Sequence, residues 1–272
     1  ATGSTDTSAA WPDAPSITCE SAILIDADTG SILYEKDAYR KCYPASTTKI
    51  LTGLLTIENC NLSDTMTIST NAANSVNPYE DANLSMKAGE QITVEQALYG
   101  LLLYSANEIA YALAEQVAGT ADAFVDMMNK RVETLGLKNS HFENCTGLDD
   151  EVTNHYSCAY DLAVIAKEVM KHKLILKYST VWLDSLRNGK TELNNTNKMI
   201  NKYNGMTGLK TGTTSNAGFC LCATATRDGI SFVSVVLGAQ TSDERFALTQ
   251  ELLDYGFANY KLDNIKIDNS KL

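Results

Sequence analysis

Two hairpin signals stand at opposite ends of this 272-residue chain. Near the start, residues 22–25 and 31–34 are short runs of strand formers on either side of Asp28-Thr29-Gly30. Near the end, residues 219–226 and 230–237 flank Arg227-Asp228-Gly229 in the same way. Between these pairs, apolar residues recur at helical spacing near 47–58, 94–103, 106–118, 121–135 and 159–171, and a last helix is predicted from 243 to about 258. Strands, then helices, then strands, then a helix do not alternate as a parallel sheet requires. That order argues an α+β fold. Both chain ends build one antiparallel sheet backed by the final helix, and the middle forms a helical cluster.

Composition limits the partners. With 44% hydrophobic residues the chain can bury a large core, in one domain or one domain with a subdomain. A net charge of −11, with no basic run, argues against nucleic acid and against charge-driven adhesion to anionic lipid. No apolar stretch approaches bilayer-spanning length. Residues 1–17 read as a flexible tail, because the first fifteen are rich in Ala, Ser and Thr and carry no signal-peptide pattern.

Three short motifs carry chemistry. In Ser46-Thr47-Thr48-Lys49, Pro44 precedes a helical run, so Ser46 and Lys49 project from one face of a first turn. There the helix dipole favours negative charge on the serine oxygen, and desolvation lets Lys49 act as its base. Taken alone, the motif also reads as a capping serine beside a solvated lysine.

Ser105-Ala106-Asn107 interrupts a long apolar stretch. Ser105 can relay a proton, and Asn107 can hold Lys49 and donate to a substrate carbonyl; the plainer alternative is a helix junction with Ser105 as N-cap. In Lys210-Thr211-Gly212-Thr213, just before two strands, Gly212 leaves room for a substrate backbone beside the strand. The lysine and the Thr211 and Thr213 hydroxyls attract a carboxylate, and the N–H groups of Ser46 and Thr213 suit an oxyanion hole. The plainer alternative is a polar edge strand or a glycine turn.

The three motifs in this order, with Tyr43-Pro44-Ala45, Thr146-Gly147-Leu148-Asp149, Asn154-His155-Tyr156, Ala159-Tyr160-Asp161-Leu162-Ala163 and Asp243-Glu244-Arg245-Phe246, resemble the low-molecular-mass penicillin-binding proteins that act as D-alanyl-D-alanine carboxypeptidases. The likeness runs from about residue 18 to residue 260. It implies Ser46 as nucleophile, Lys49 as base, Ser105 in proton relay and Arg245 at the substrate's terminal carboxylate. It implies hydrolysis of a peptidoglycan stem peptide ending in D-Ala-D-Ala, with β-lactams as covalent inhibitors, at the extracytoplasmic face of a bacterial envelope.

The expected catalytic domain is 18–262, with 263–272 a C-terminal stub. Relatives usually continue into a β-rich second domain and an amphipathic anchor, so membrane contact is expected only through regions outside these residues. A serine β-lactamase shares the three motifs but usually places a glutamate and an asparagine to activate the deacylating water, a spacing that Glu143-Asn144-Cys145-Thr146 lacks. A β-lactam sensor that stays acylated is the remaining alternative.

Seven cysteines, an odd number, leave at least one thiol free, and Cys220 and Cys222 are expected to pack on one face of a strand. His141, Cys145, His155 and Cys158 can be drawn as a zinc site, but their irregular spacing favours no metal, and no cofactor is expected.

Overall fold

The computed structural model describes residues 12–262. Strands β1 (Ser21–Asp26) and β2 (Ile32–Lys36) open the chain. A 3₁₀ turn, Ala45–Thr48, leads into α1 (Lys49–Asn59). Strand β3 (Thr65–Thr67), α2 (Thr70–Asn74), β4 (Gln91–Thr93) and α3 (Val94–Tyr99) follow. A π-helical turn, Gly100–Tyr104, then precedes α4 (Asn107–Ala118) and α5 (Ala121–Thr134). After α6 (Ala159–Met170) and α7 (Lys173–Ser179) comes the small hairpin β5 (Leu183–Leu186) and β6 (Thr191–Asn194). Strands β7 (Met206–Thr214), β8 (Gly218–Arg227) and β9 (Ile230–Ala239) and helix α8 (Ser242–Asn259) complete it.

The main sheet is antiparallel throughout, in the order β2-β1-β9-β8-β7, so both ends of the chain meet at the β1–β9 pairing. This is the sheet expected from the two hairpin signals. Every residue of β1 from Ser21 to Ile25 is buried, because both faces of the sheet are covered. Ile23 and Ile25 join the core against the helical cluster, with Leu54, Leu101, Leu113 and Ile165. Ala22 and Leu24 join Phe232 and Val236 under Leu248, Leu252 and Leu253 of α8. Cys220 and Cys222 both lie in the cluster-side core, as the alternation predicts, while Leu221 between them faces α8.

Helix α8 is amphipathic by the ordinary rule: Arg245, Leu248, Thr249, Leu252, Leu253 and Gly256 form its buried stripe. Its start is fixed by Thr241, whose side chain accepts from the Glu244 amide at 3.1 Å. That cap orients the first turn and with it Arg245. Strand β7 stands at the sheet edge and packs against the 3₁₀ turn that carries Ser46. The three motifs converge where the edge strand meets the helical cluster.

Candidate active site

Ser46 lies in the 3₁₀ turn, one step after Ala45, which holds a left-handed backbone at φ +48°. Lys49 begins α1 and is fully buried. Its Nζ lies 2.8 Å from Ser46 Oγ, 2.6 Å from Asn107 Oδ1 and 2.7 Å from the Thr146 carbonyl. Three acceptors match the three donors of an ammonium. A neutral amine fits the same cage by donating to Asn107 and Thr146 while its lone pair accepts the Ser46 hydroxyl proton. Burial decides between the two forms: desolvation lowers the Lys49 pKa from 10.5 to about 7.

Ser105 ends the π-helical turn with φ +69° and is buried. It is not the N-cap of α4: Ala106 occupies that position, with no side-chain cap. Asn107, the first residue of α4, turns its Oδ1 to Lys49, which leaves its amide NH₂ as the group able to donate elsewhere. The second motif is therefore a junction, as expected, but one built by a π turn and a left-handed serine.

Lys210 projects from β7, fully enclosed, with its Nζ donating to the Thr211 carbonyl at 2.9 Å. Desolvation first, then repulsion from Lys49 and Arg245, holds its pKa well below the usual lysine range. The Thr211 hydroxyl is 2.6 Å from that of Thr196 and so is tied to the preceding loop. Thr213 is exposed; its hydroxyl donates to the Gly212 carbonyl and accepts from Arg245 Nη1 at 2.9 Å.

Gly212 packs directly against the Ser46 turn. A Cβ there would lie 2.9 Å from the Ser46 nitrogen and 3.0 Å from both the Pro44 carbonyl oxygen and Ala45 Cβ. The missing side chain makes room for the turn that carries Ser46. Arg245, on the first turn of α8, also donates to the Gly212 carbonyl at 3.0 Å, with Phe246 and Phe219 flanking its guanidinium. Its neighbour Glu244 accepts instead from Thr18 Oγ1 and the Gln240 amide.

The remaining candidates hold structure. Glu143 Oε2 accepts the Thr153 and Asn154 amides, each at 2.9 Å, which ties the carboxylate to a loop. His155 is buried, and burial depresses its pKa to about 4. Its Nδ1 accepts from the Glu143 amide, so Nε2 carries the proton and donates to Thr48 Oγ1 at 3.0 Å. Among the described residues no group of three His, Cys, Asp or Glu is placed to hold a metal ion, and all seven cysteines are unpaired.

Sequence reasoning gave no role to the Thr146 carbonyl, because a main-chain acceptor leaves no side-chain signature. The glycine after it was the available signal. Gly147 sits at φ +89°, where a Cβ would fall 1.8 Å from the Ala45 carbonyl oxygen.

The chain is similar to known proteins. A family model described as D-alanyl-D-alanine carboxypeptidase matches residues 7–241. The D-alanyl-D-alanine carboxypeptidase DacF of Bacillus subtilis (strain 168) is 40% identical over 250 residues, which are 89% of this chain and 63% of that protein. The DacA protein of Escherichia coli (strain K12) is 34% identical over 264 residues, covering 93% of this chain and 64% of its own. The chain thus spans somewhat under two thirds of the length of these curated relatives.

Among solved structures, the Streptomyces K15 DD-transpeptidase superposes with a TM-score of 0.84 at 29% identity, covering 91% of this chain and all of that one (100%). Penicillin binding protein 5 from Haemophilus influenzae gives a TM-score of 0.83 at 32% identity, covering 91% of this chain and 73% of its own. With the expected sheet and helical cluster in place and a family model matching most of its length, the chain belongs to the D-alanyl-D-alanine carboxypeptidase family of serine peptidases.

Proposed function

We propose that this protein is a serine D,D-carboxypeptidase that removes the terminal D-alanine from peptidoglycan stem pentapeptides through an acyl-enzyme, and that β-lactams acylate the same serine. The observation that carries the reading is the Lys49 amine, enclosed, 2.8 Å from Ser46 Oγ and braced by Asn107 and Thr146. In its neutral form it takes the Ser46 proton as the oxygen attacks the penultimate carbonyl. The oxyanion is held by the Ser46 and Thr213 amides. Collapse breaks the C–N bond, and the proton passes by way of Ser105 to the departing D-alanine nitrogen. Water then adds to the ester and Ser46 is regenerated.

The departing residue's carboxylate is read by Arg245 and Thr213, with Lys210 and Thr211 supplying charge and a hydroxyl behind them. A substrate of this kind places the protein outside the cytoplasmic membrane, exported and acting on the cell wall, and through wall trimming on cell shape. Among the described residues no helix is long and apolar enough to cross a membrane. A β-lactamase reading is less well supported, because the Glu143 carboxylate is engaged by two backbone amides rather than directed at a deacylating water.

Mass spectrometry tests the proposal. The protein is incubated with a peptide ending in D-Ala-D-Ala and, separately, with penicillin. Loss of one alanine from the first and a lasting adduct on Ser46 from the second are expected. Rapid release of hydrolysed penicillin would favour the β-lactamase, and an adduct without peptide cleavage the sensor.

A further inference from the structure

The turn from Asn144 to Asp149 touches both the Ser46–Lys49 motif and the end of β7 and belongs to none of the three motifs. One side chain folds it: Asn144 Oδ1 accepts from the Thr146 amide at 3.1 Å, the Thr146 hydroxyl at 3.1 Å and the Gly147 amide at 2.7 Å. Its Nδ2 donates to the Leu148 carbonyl at 2.8 Å. This is the local competition by which asparagine imposes a turn on the backbone. The fold it imposes aims the Thr146 carbonyl at Lys49 Nζ, 2.7 Å away. It also lays Gly147 flat on the Ala45 carbonyl, leaving no space for a Cβ.

The far end of the turn is anchored differently. Asp149 is buried, and its Oδ2 accepts from the Thr214 hydroxyl at 2.5 Å and its Oδ1 from Asn216 Nδ2 at 3.3 Å. The Thr214 hydroxyl in turn accepts the Ala217 amide at 3.0 Å. Thr214 directly follows Thr213, so this carboxylate holds the end of β7 that presents the Thr213 amide.

We infer that Asn144 and Asp149 are positioning residues, and that the turn they fix sets the spacing between Lys49, the Ser46 turn and the Thr213 amide. The inference rests on the hydrolytic reading above and deepens it. Base, nucleophile and oxyanion donor come from three separate elements: α1, the 3₁₀ turn and an edge strand. An edge strand is paired on one side only, so its approach to a helical turn is not set by sheet register. A buried carboxylate bonded to a hydroxyl on that strand supplies the missing restraint. Catalytic groups must be held within about 0.5 Å, and a displacement of about 1 Å costs on the order of a hundredfold in rate.

The test uses the full chain and a fluorescent penicillin, separating the pre-acylation Kd from the acylation rate, with Tm measured beside them. Labelling of wild type at Ser46 tests the hydrolytic reading by itself; its absence would sink that reading whatever the variants do. Given labelling, Thr214→Val and Asp149→Ala should each slow acylation by roughly ten- to a hundredfold with Kd within about threefold. The double variant should be little slower than the slower single, because the two substitutions share the Thr214–Asp149 bond.

At the other end, Asn144→Leu should slow acylation comparably. Asn144→Asp, which keeps the accepting oxygen, should recover most of the rate. If Asp149→Ala does not fold, Thr214→Val carries the test, since it removes only a hydroxyl. Acylation at the wild-type rate in Thr214→Val, losses that multiply in the double variant, or rates that fall only as folded protein is lost would overturn the inference.

Discussion

The pH dependence of acylation follows from the burial of Lys49. Its pKa falls from 10.5 to about 7, chiefly by desolvation. Such a drop corresponds to roughly 5 kcal/mol in favour of the neutral amine. If the neutral amine takes the serine proton, the acylation rate should follow its population: about half the plateau at pH 7 and about a hundredth of it at pH 5. The ammonium is the penalised form, so the fold carries that cost below pH 7 and is relieved of it progressively as pH rises toward 10.5. Activity should therefore rise through pH 7 and level off above it, while this part of the stability rises between pH 7 and 10.5.

Lys49 helps to hold the Lys210 pKa down, so Lys210→Arg, which fixes a cation on β7, isolates the Lys49 step. Lys49→Arg removes the base while keeping the charge. The assay is the single-turnover rate of Ser46 labelling by a fluorescent penicillin, quenched and read across pH 5 to about 9. Lys49→Arg should lose acylation by at least about a thousandfold, the upper range for a general base that also orders its neighbours. An acid limb absent from wild type and from Lys210→Arg, or Lys49→Arg acylating within about tenfold of wild type, would refute the reasoning.

Three further outcomes follow from single contacts. Arg245→Ala should cut cleavage of a peptide with a free C-terminal D-alanine by about ten- to a hundredfold and leave the slow cleavage of its amide unchanged; equal losses in a paired assay would assign Arg245 to the fold alone. Gly212→Ala places a Cβ 2.9 Å from the Ser46 nitrogen. It should lower acylation by more than about tenfold with little change in Tm, and normal acylation would show that β7 yields freely. Thr241→Ala removes the α8 cap and should cost about 1 kcal/mol in urea unfolding, with an unchanged midpoint counting against the cap.

The parts of the fold that were legible in the sequence are those with large apolar faces. The terminal hairpins and α1, α4, α5, α6 and α8 match their predicted spans to within a few residues, because continuous or 3.6-periodic apolar runs have few other ways to be buried. The hairpin β5–β6 and helix α7 were not legible: they are short, and half or more of their residues keep some exposure, so periodicity has little to act on. The π-helical turn was hidden for the opposite reason. Leu101, Leu102 and Leu103 are all buried, so the stripe reads as helix to its end and gives no sign that the ladder widens there.

The site divides along the same line. The candidate side chains were named from the three motifs, and the structure brings Lys49 within hydrogen-bond distance of Ser46 and Asn107 and sets Arg245 on Thr213. What escaped was main chain. Lys49 is held by the Thr146 carbonyl, β7 closes on the Ser46 amide through Gly212, and Gly147 lies on the Ala45 carbonyl. The first sets a side chain on a carbonyl and the other two set backbone on backbone, and the only trace of each in sequence is a glycine whose partner cannot be read. The burial that lowers both lysine pKa values is likewise a property of packing. It follows that substitutions confined to Ser46, Lys49, Ser105 and Lys210 probe the reacting groups but not their spacing. The spacing is tested at Gly212, Asn144 and Asp149, where a change leaves every reacting side chain in place and alters only how the elements that bear them meet.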